Sequence, residues 1–230
     1  MRTKFDAQLE RLNEELTRMG ALCEQGINAA IAALVDGDAA KANEAISIDG
    51  DIDRMEREIE DICLRLLLRQ QPVARDLRQI SAALKMITDM ERIGDQTTDI
   101  SEIVLLLMGT GYTQQLDHLG EMAKATAKMV TGSVDAFVRQ DLELARRVVE
   151  YDDVVDDLFR KSRQDLIDRI QKESGCGEQA IDFLMIAKYF ERIGDHATNI
   201  AEWVAFSITG RHGCFGTSPE GEAKRRDSEK

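Results

Sequence analysis

Proline is almost missing from this chain: there are two in 230 residues, Pro72 and Pro219. Without proline nothing removes an amide donor or clashes with the preceding turn, so long stretches are free to run as single helices. Aromatic residues are scarce too, with one tryptophan and three tyrosines, whereas strands are enriched in aromatic and β-branched residues. Together with 32% charged residues this composition points to long helices and an all-α fold. Positive charge is also in short supply. The 30 Lys and Arg stand against 43 Asp and Glu, a formal net charge of −13. That balance argues against nucleic acid as a partner, because phosphate backbones demand clustered cations, and it favours cations or basic protein surfaces.

Long apolar runs are absent. No stretch approaches the roughly 18 consecutive apolar residues of a membrane span, and the start MRTKFDAQLERLNEEL has no apolar core of a secretory signal. The four cysteines, Cys23, Cys63, Cys176 and Cys214, show no CxxC or other metal spacing and read as reduced thiols. A cytoplasmic protein is expected.

What is present is a pattern said twice. Glu91-Arg92-Ile93-Gly94-Asp95 returns one hundred residues later as Glu191-Arg192-Ile193-Gly194-Asp195, and from Glu91 to Val104 and Glu191 to Val204 nine of fourteen residues agree. Such self-similarity marks a duplicated unit. Around it the apolar residues step by three and four. Leu9, Leu12, Leu16, Met19 and Leu22 begin a first helix over about Lys4 to Val35, ended by Asp36-Gly37-Asp38. Ile48, Ile52, Met55, Ile59, Ile62 and Leu66 form the seam of a second helix, closed at Gln71-Pro72. A third, about Ala74 to Met108, carries the first motif, and Gly109-Thr110-Gly111 marks the boundary between halves. Helices over about Thr113 to Arg139, Asp141 to Lys172 and Glu178 to Thr209 repeat the plan. The expectation is two tandem three-helix bundles with six long antiparallel helices, residues 1–109 and 112–210, and a disordered tail over 211–230.

Within the first motif Glu91, Asp95, Asp99 and Glu102 fall at i, i+4, i+8 and i+11, a narrow sector of one helix face turned away from the core seam. Taken alone, this is what a solvated face looks like. The preceding helix adds its own pair at i, i+4, Asp49 and Asp53, matched in the second half by Asp152 and Asp156. In an antiparallel hairpin turning near Pro72, Asp53 lies 19 residues before the turn and Glu91 19 after, while Asp49 and Asp95 are each 23 away. A turn at Glu173-Ser174 pairs Asp156 with Glu191 and Asp152 with Asp195 in the same manner. Helices packed at about 8–10 Å bring such side chains within reach of one ion, so a shared metal site competes with the solvated-face reading. Oxygen ligands suit divalent or trivalent ions such as Mg²⁺, Mn²⁺, iron or Zn²⁺ without choosing among them.

Several residues carry two readings. Arg92 and Arg192 are placed to neutralise the acidic flank, and Gly94 and Gly194 either make room for a neighbouring chain or ion or are harmless. His118, His196 and His212 read as surface residues. Ile80, Leu84 and Ile87 occupy the outer face of the third helix and want a cover, either the first helix or a partner subunit. A carboxylate-bridged di-metal enzyme is disfavoured, because no Glu is followed by His three residues later; a helical adaptor without metal stays open.

ERIGD-xxx-D and ERIGD-xxx-N on equivalent helices, with Arg69-Gln70-Gln71-Pro72, Asp76-Leu77-Arg78 and Asn199-Ile200-Ala201-Glu202, resemble the PhoU family of phosphate transport and phosphate regulon regulators over residues 4 to 209. That resemblance implies a pair of three-helix bundles, a cytoplasmic and often homodimeric protein, and multinuclear metal sites on paired acidic motifs. Carried over, these are Asp49 with Asp53, Glu91 with Asp95 and Asp99, Asp152 with Asp156, and Glu191 with Asp195 and Asn199. It further implies a non-catalytic negative regulator of phosphate homeostasis, linking a phosphate ABC transporter ATPase to a sensor histidine kinase. Asn199 stands where the first motif has Asp99, so the second site would hold its metal with less charge.

Overall fold

Where α-helices stop in this chain is dictated by a few residues at the joints. Gly37 takes the left-handed conformation, φ 64°, and Asp38 Oδ1 then accepts from the Ala40 amide at 2.8 Å to start the next helix. Asp141 accepts from the amides of Glu143 and Leu144 at 3.0 and 2.9 Å. Gly210, φ 73°, ends the last helix by donating to Phe206 O. In the computed structural model, residues 2–70, 72–109, 117–173 and 175–215 are described. The helices are α1 (Arg2–Asp36), α2 (Ala39–Gln70), α3 (Ala74–Met108), α4 (Asp117–Arg139), α5 (Leu142–Lys172) and α6 (Gly177–Thr209). Among the described residues there is no strand, and no helix is long and apolar enough to cross a membrane. Gln71, Thr110, Gly111, Ser174 and residues 216–230, all parts of the expected stops, boundary and tail, lie outside the described residues.

α1, α2 and α3 pack on one another, as do α4, α5 and α6, but the most extensive pairing in the molecule joins the halves through α3 and α6. α1 and α4 make a second junction, where a methyl on Gly20 would meet Val134 at 3.0 Å. The apolar side chains accordingly form one continuous core running from Phe5 to Val204. Ile80 and Ile87, the outer-face residues in want of a cover, are buried within it, and Leu84 packs against it. Their cover is intramolecular.

The α3–α6 pair is antiparallel. Arg78 Nε donates to Ser207 O at 3.5 Å, and eleven residues on Asp89 meets His196 and Asn199. Further along, Asp99 faces Tyr189. Since 89 and 99 are the duplicates of 189 and 199, the Asp89–Asn199 and Asp99–Tyr189 contacts are mates about an approximate two-fold axis.

Residues 211–215, expected to begin the tail, fold back on the bundle. The His212 ring stacks on Phe206 with centroids 4.1 Å apart, and Phe215 packs against the core beneath Arg146, 5.7 Å from its ring. A short aromatic anchor, invisible in a segment rich in glycine and charge, accounts for the difference.

A shared core predicts shared unfolding. Phe190 on α6 is fully buried, and Phe190→Ala should cost about 3–5 kcal/mol, lowering the melting temperature by roughly 6–20 °C. Calorimetry should show one transition moving as a whole; a second transition left at the wild-type temperature would mean the halves melt independently.

Candidate functional site

The α2–α3 hairpin sets Asp49 directly across from Gly94. A methyl built on Gly94 would lie 2.5 Å from Asp49 Oδ1 and 3.1 Å from Ile52 Cδ1, so only glycine permits the close approach. Asp49 Oδ1 is buried there and has no hydrogen-bond partner. Burial raises the Asp49 pKa, and the charges of Asp53, Asp95 and Asp99 raise it further against an opposing pull from the Thr98 hydroxyl. That hydroxyl is itself buried without a hydrogen bond of good geometry. Glu91 is raised by burial and by Asp95, Glu56 and Asp53, with Arg92 opposing. Five carboxylates, those of Asp49, Asp53, Glu56, Glu91 and Asp95, therefore act on one another across this cleft.

Glu56 was not among the sequence candidates, although it lies one heptad beyond Asp49 and hence on the same face. Burial, Asp53 and Glu60 raise its pKa.

The second hairpin repeats the arrangement with small changes. A methyl on Gly194 would lie 3.2 Å from Asp152 Oδ1 and 3.5 Å from Val155, whose counterpart is Ile52. Burial pushes Asp152 up to about 7, helped by Asp195, Asp156 and Glu191. Burial and then Glu191 push Asp195 up to about 6, against Lys188 and His196. Asp195 nonetheless remains exposed while Asp152 is half-buried, which makes Asp152 the firmer marker of this cleft.

Cations answer part of this charge. Arg92 bridges Asp95 at 2.8 Å and Glu91 at 3.4 Å, Arg57 reaches Asp53 at 3.5 Å, and Lys188 pairs with Glu191. Arg192 differs from Arg92: its guanidinium lies 5.9 Å from the Tyr189 ring centroid and lowers the Asp99 pKa. As placed, no three His, Cys, Asp or Glu side chains among the described residues stand close enough to hold one ion. The donor set still fits a hard cation: it is all oxygen, it includes a buried unpartnered carboxylate oxygen, and its mutual repulsion goes uncompensated at Asp49 and Asp152. Closure would require Arg92 and Lys188 to release their partners.

Two sequence candidates sit elsewhere. Asn199 donates its amide to Asp89 at 3.2 Å, beside His196 Nδ1 at 2.9 Å from the same oxygen. α6 turns this position towards α3 rather than towards α5, so Asn199 serves the joint between halves and not the second cleft. His196, read as a surface residue, belongs to that joint with 23% of its side chain exposed. Asp99 stands between the two roles, raised by burial, Glu102 and Asp95 and drawn down by Tyr189 and Arg192.

Two copies of a duplicated, glycine-notched acidic hairpin match one family. The family model described as the PhoU domain matches residues 16–104 and 119–204. This chain belongs to the PhoU family. It is 36% identical to the phosphate-specific transport system accessory protein PhoU homolog of Clostridium acetobutylicum, over 90% of this chain and 95% of that protein. Among solved structures it is similar to PhoU from Pseudomonas aeruginosa, with a TM-score of 0.85 and 35% identity over 90% of this chain and 100% of that one. It is also similar to the phosphate transport system regulatory protein PhoU from Streptococcus pneumoniae, with a TM-score of 0.83 and 25% identity over 90% and 98%. The PhoU-domain matches end at residue 204, ahead of the aromatic anchor.

Carboxylates whose pKa values rise on folding bind more protons folded than unfolded between about pH 4 and 7, so their contribution to stability is lost as pH climbs through about 6–7. In chelator-treated buffer the melting temperature should therefore fall from pH 5 to pH 8. Asp152→Asn should flatten that slope and raise the melting temperature at pH 8, by roughly 2–4 °C per kcal/mol of repulsion relieved; an unchanged slope would remove Asp152 from the cause.

Gly94→Ala should force the Asp49 carboxylate aside. Carboxylate NMR should show its pKa returning towards the ordinary range with helix content intact, and Gly194→Ala should disturb Asp152 less because its clearance is larger.

Proposed function

We propose that this protein is an accessory component of phosphate-specific transport that restrains phosphate uptake and the phosphate regulon. In this reading it is a metal-loaded helical adaptor, working in the cytoplasm as a homodimer between the ABC transporter's ATPase and a sensor histidine kinase. It carries out no chemistry itself. The names of its relatives, accessory protein and regulatory protein, support the transport role. The observation that carries the metal is the buried, unpartnered Asp49 oxygen inside a cluster of like charge.

Asp49, Asp53, Glu91 and Asp95 would hold ions in the first cleft, with Asp99 at its edge, and Asp152, Asp156, Glu191 and Asp195 in the second. A bound cation would supply positive charge, relieving the repulsion among these carboxylates and tying α2 to α3 and α5 to α6. It would also turn two anionic faces into less repellent docking surfaces for protein partners. Arg92 and Lys188 act as placeholders that keep the clefts tolerable without metal.

The competing reading, an adaptor whose clefts never take metal, rests on those same two cations. Elemental analysis separates the two. Protein purified without chelator should carry divalent or trivalent metal that is reduced by about half in Glu91→Ala/Asp95→Ala, and chelation should lower the melting temperature, a loss of about 2.7 kcal/mol if the ion is present at 100 times its Kd. Negligible metal in both proteins would establish the adaptor. For the regulatory role, deleting the gene should raise alkaline phosphatase activity or phosphate uptake several-fold in phosphate-rich medium; unchanged values in both would reject it.

A further inference from the structure

Buried hydroxyls on these helices normally look after themselves. Thr97 donates to Gly94 O at 2.8 Å, Ser101 to Thr97 O at 2.7 Å, Thr126 to Met122 O at 3.0 Å and Ser133 to Val130 O at 2.8 Å, each one turn back along its own helix. Two do not. Thr98 Oγ1 and Thr198 Oγ1 are the Ser or Thr hydroxyls among the described residues that are buried without a well-formed hydrogen bond, and Thr198 is only 5% exposed. A buried donor left unused is a cost that a helix avoids when it can.

The two are not independent accidents, because they occupy the same place in the duplicated unit. Thr98 follows Gly94 by four residues and Thr198 follows Gly194 by four, so each lies one turn along the face whose glycine admits Asp49 or Asp152. In the first cleft Asp49 Oδ1, seated at the Gly94 notch, is likewise buried without a well-formed hydrogen bond.

We infer that Thr98 and Thr198 are positioning residues of the two clefts, each hydroxyl donating to the carboxylate that α2 or α5 presents at the glycine notch. The inference rests on the metal reading proposed above. When one oxygen of Asp49 or Asp152 is engaged by a cation, the other is the acceptor that the threonine serves. A neutral donor suits this task better than Arg or Lys, since it orients the carboxylate without competing for its charge. Hydrogen bonds of this kind behind a ligand fix its rotamer and tune its affinity. This assigns a role to a residue type that neither the acidic spacing nor the glycine would have suggested.

The test compares Thr98→Val, Thr198→Val and the double variant with Thr98→Ser, titrating Mn²⁺ and Zn²⁺ alone against a chromophoric chelator. Valine keeps the shape and removes the donor; serine keeps the donor. Each Val variant should bind one class of ions roughly 10–100-fold more weakly, the double variant both classes, and Thr98→Ser should stay near wild type. Melting temperatures of the chelated proteins should be unchanged or raised in the Val variants, since a buried unpaired hydroxyl is removed; should a Val variant not fold, Thr98→Ala set against Thr98→Ser makes the same comparison. Wild-type affinity in the Val variants, or a serine variant as weak as valine, would overturn the inference while leaving the metal reading intact. A wild-type chain that binds neither ion would overturn both.

Discussion

The structure is organised by a repulsion that the fold holds in place. Asp49 is pressed against Gly94 at a distance that a side chain there would not allow, and Asp152 against Gly194 with slightly more clearance, and both are driven towards their protonated forms by burial and by neighbouring carboxylates. A protein seeking stability alone would separate such groups, since unpaired buried charge is among the costlier things a fold can contain. Here the apolar seams on either side leave no freedom to do so. Ile52 and Val155 pack against the same two glycines, and Ile93 and Ile193 are fully buried beside them. Hydrophobic packing thus holds an electrostatic conflict close to solvent, where an ion or a partner can resolve it.

The two clefts are related by the joint between halves rather than by tandem placement alone. α3 and α6 run antiparallel, and their polar contacts, Asp89 with His196 and Asn199 and Asp99 with Tyr189, repeat about an approximate two-fold axis. Both acidic helices are thereby locked to each other, with α2 and α5 outside them. Duplication followed by face-to-face packing gives one shared centre, α3 with α6, flanked by the α2–α3 and α5–α6 hairpins. The copies have not stayed identical: Arg92 guards the first cleft while Lys188 guards the second, and Arg192 has turned towards Tyr189.

The sequence alone was enough to establish the all-α class, the six helices and the joint at Asp36-Gly37-Asp38, because a three-and-four apolar rhythm and a few glycines and aspartates act locally. It also contained the hairpin register to within about a residue: counting outward from the turn sets Asp49 beside Asp95, and in the structure Asp49 lies against the adjoining Gly94. Tertiary packing decided the rest. Whether Ile80 and Ile87 are covered by their own chain depends on the assembled core, and which way Asn199 points and what His196 meets depend on α6 lying along α3, a contact between residues about one hundred apart that no local period encodes. Glu56, Thr98 and Thr198 escaped notice for a related reason: their significance lies in being buried beside like charge or without a partner, and burial is a property of the assembled helices rather than of any one of them.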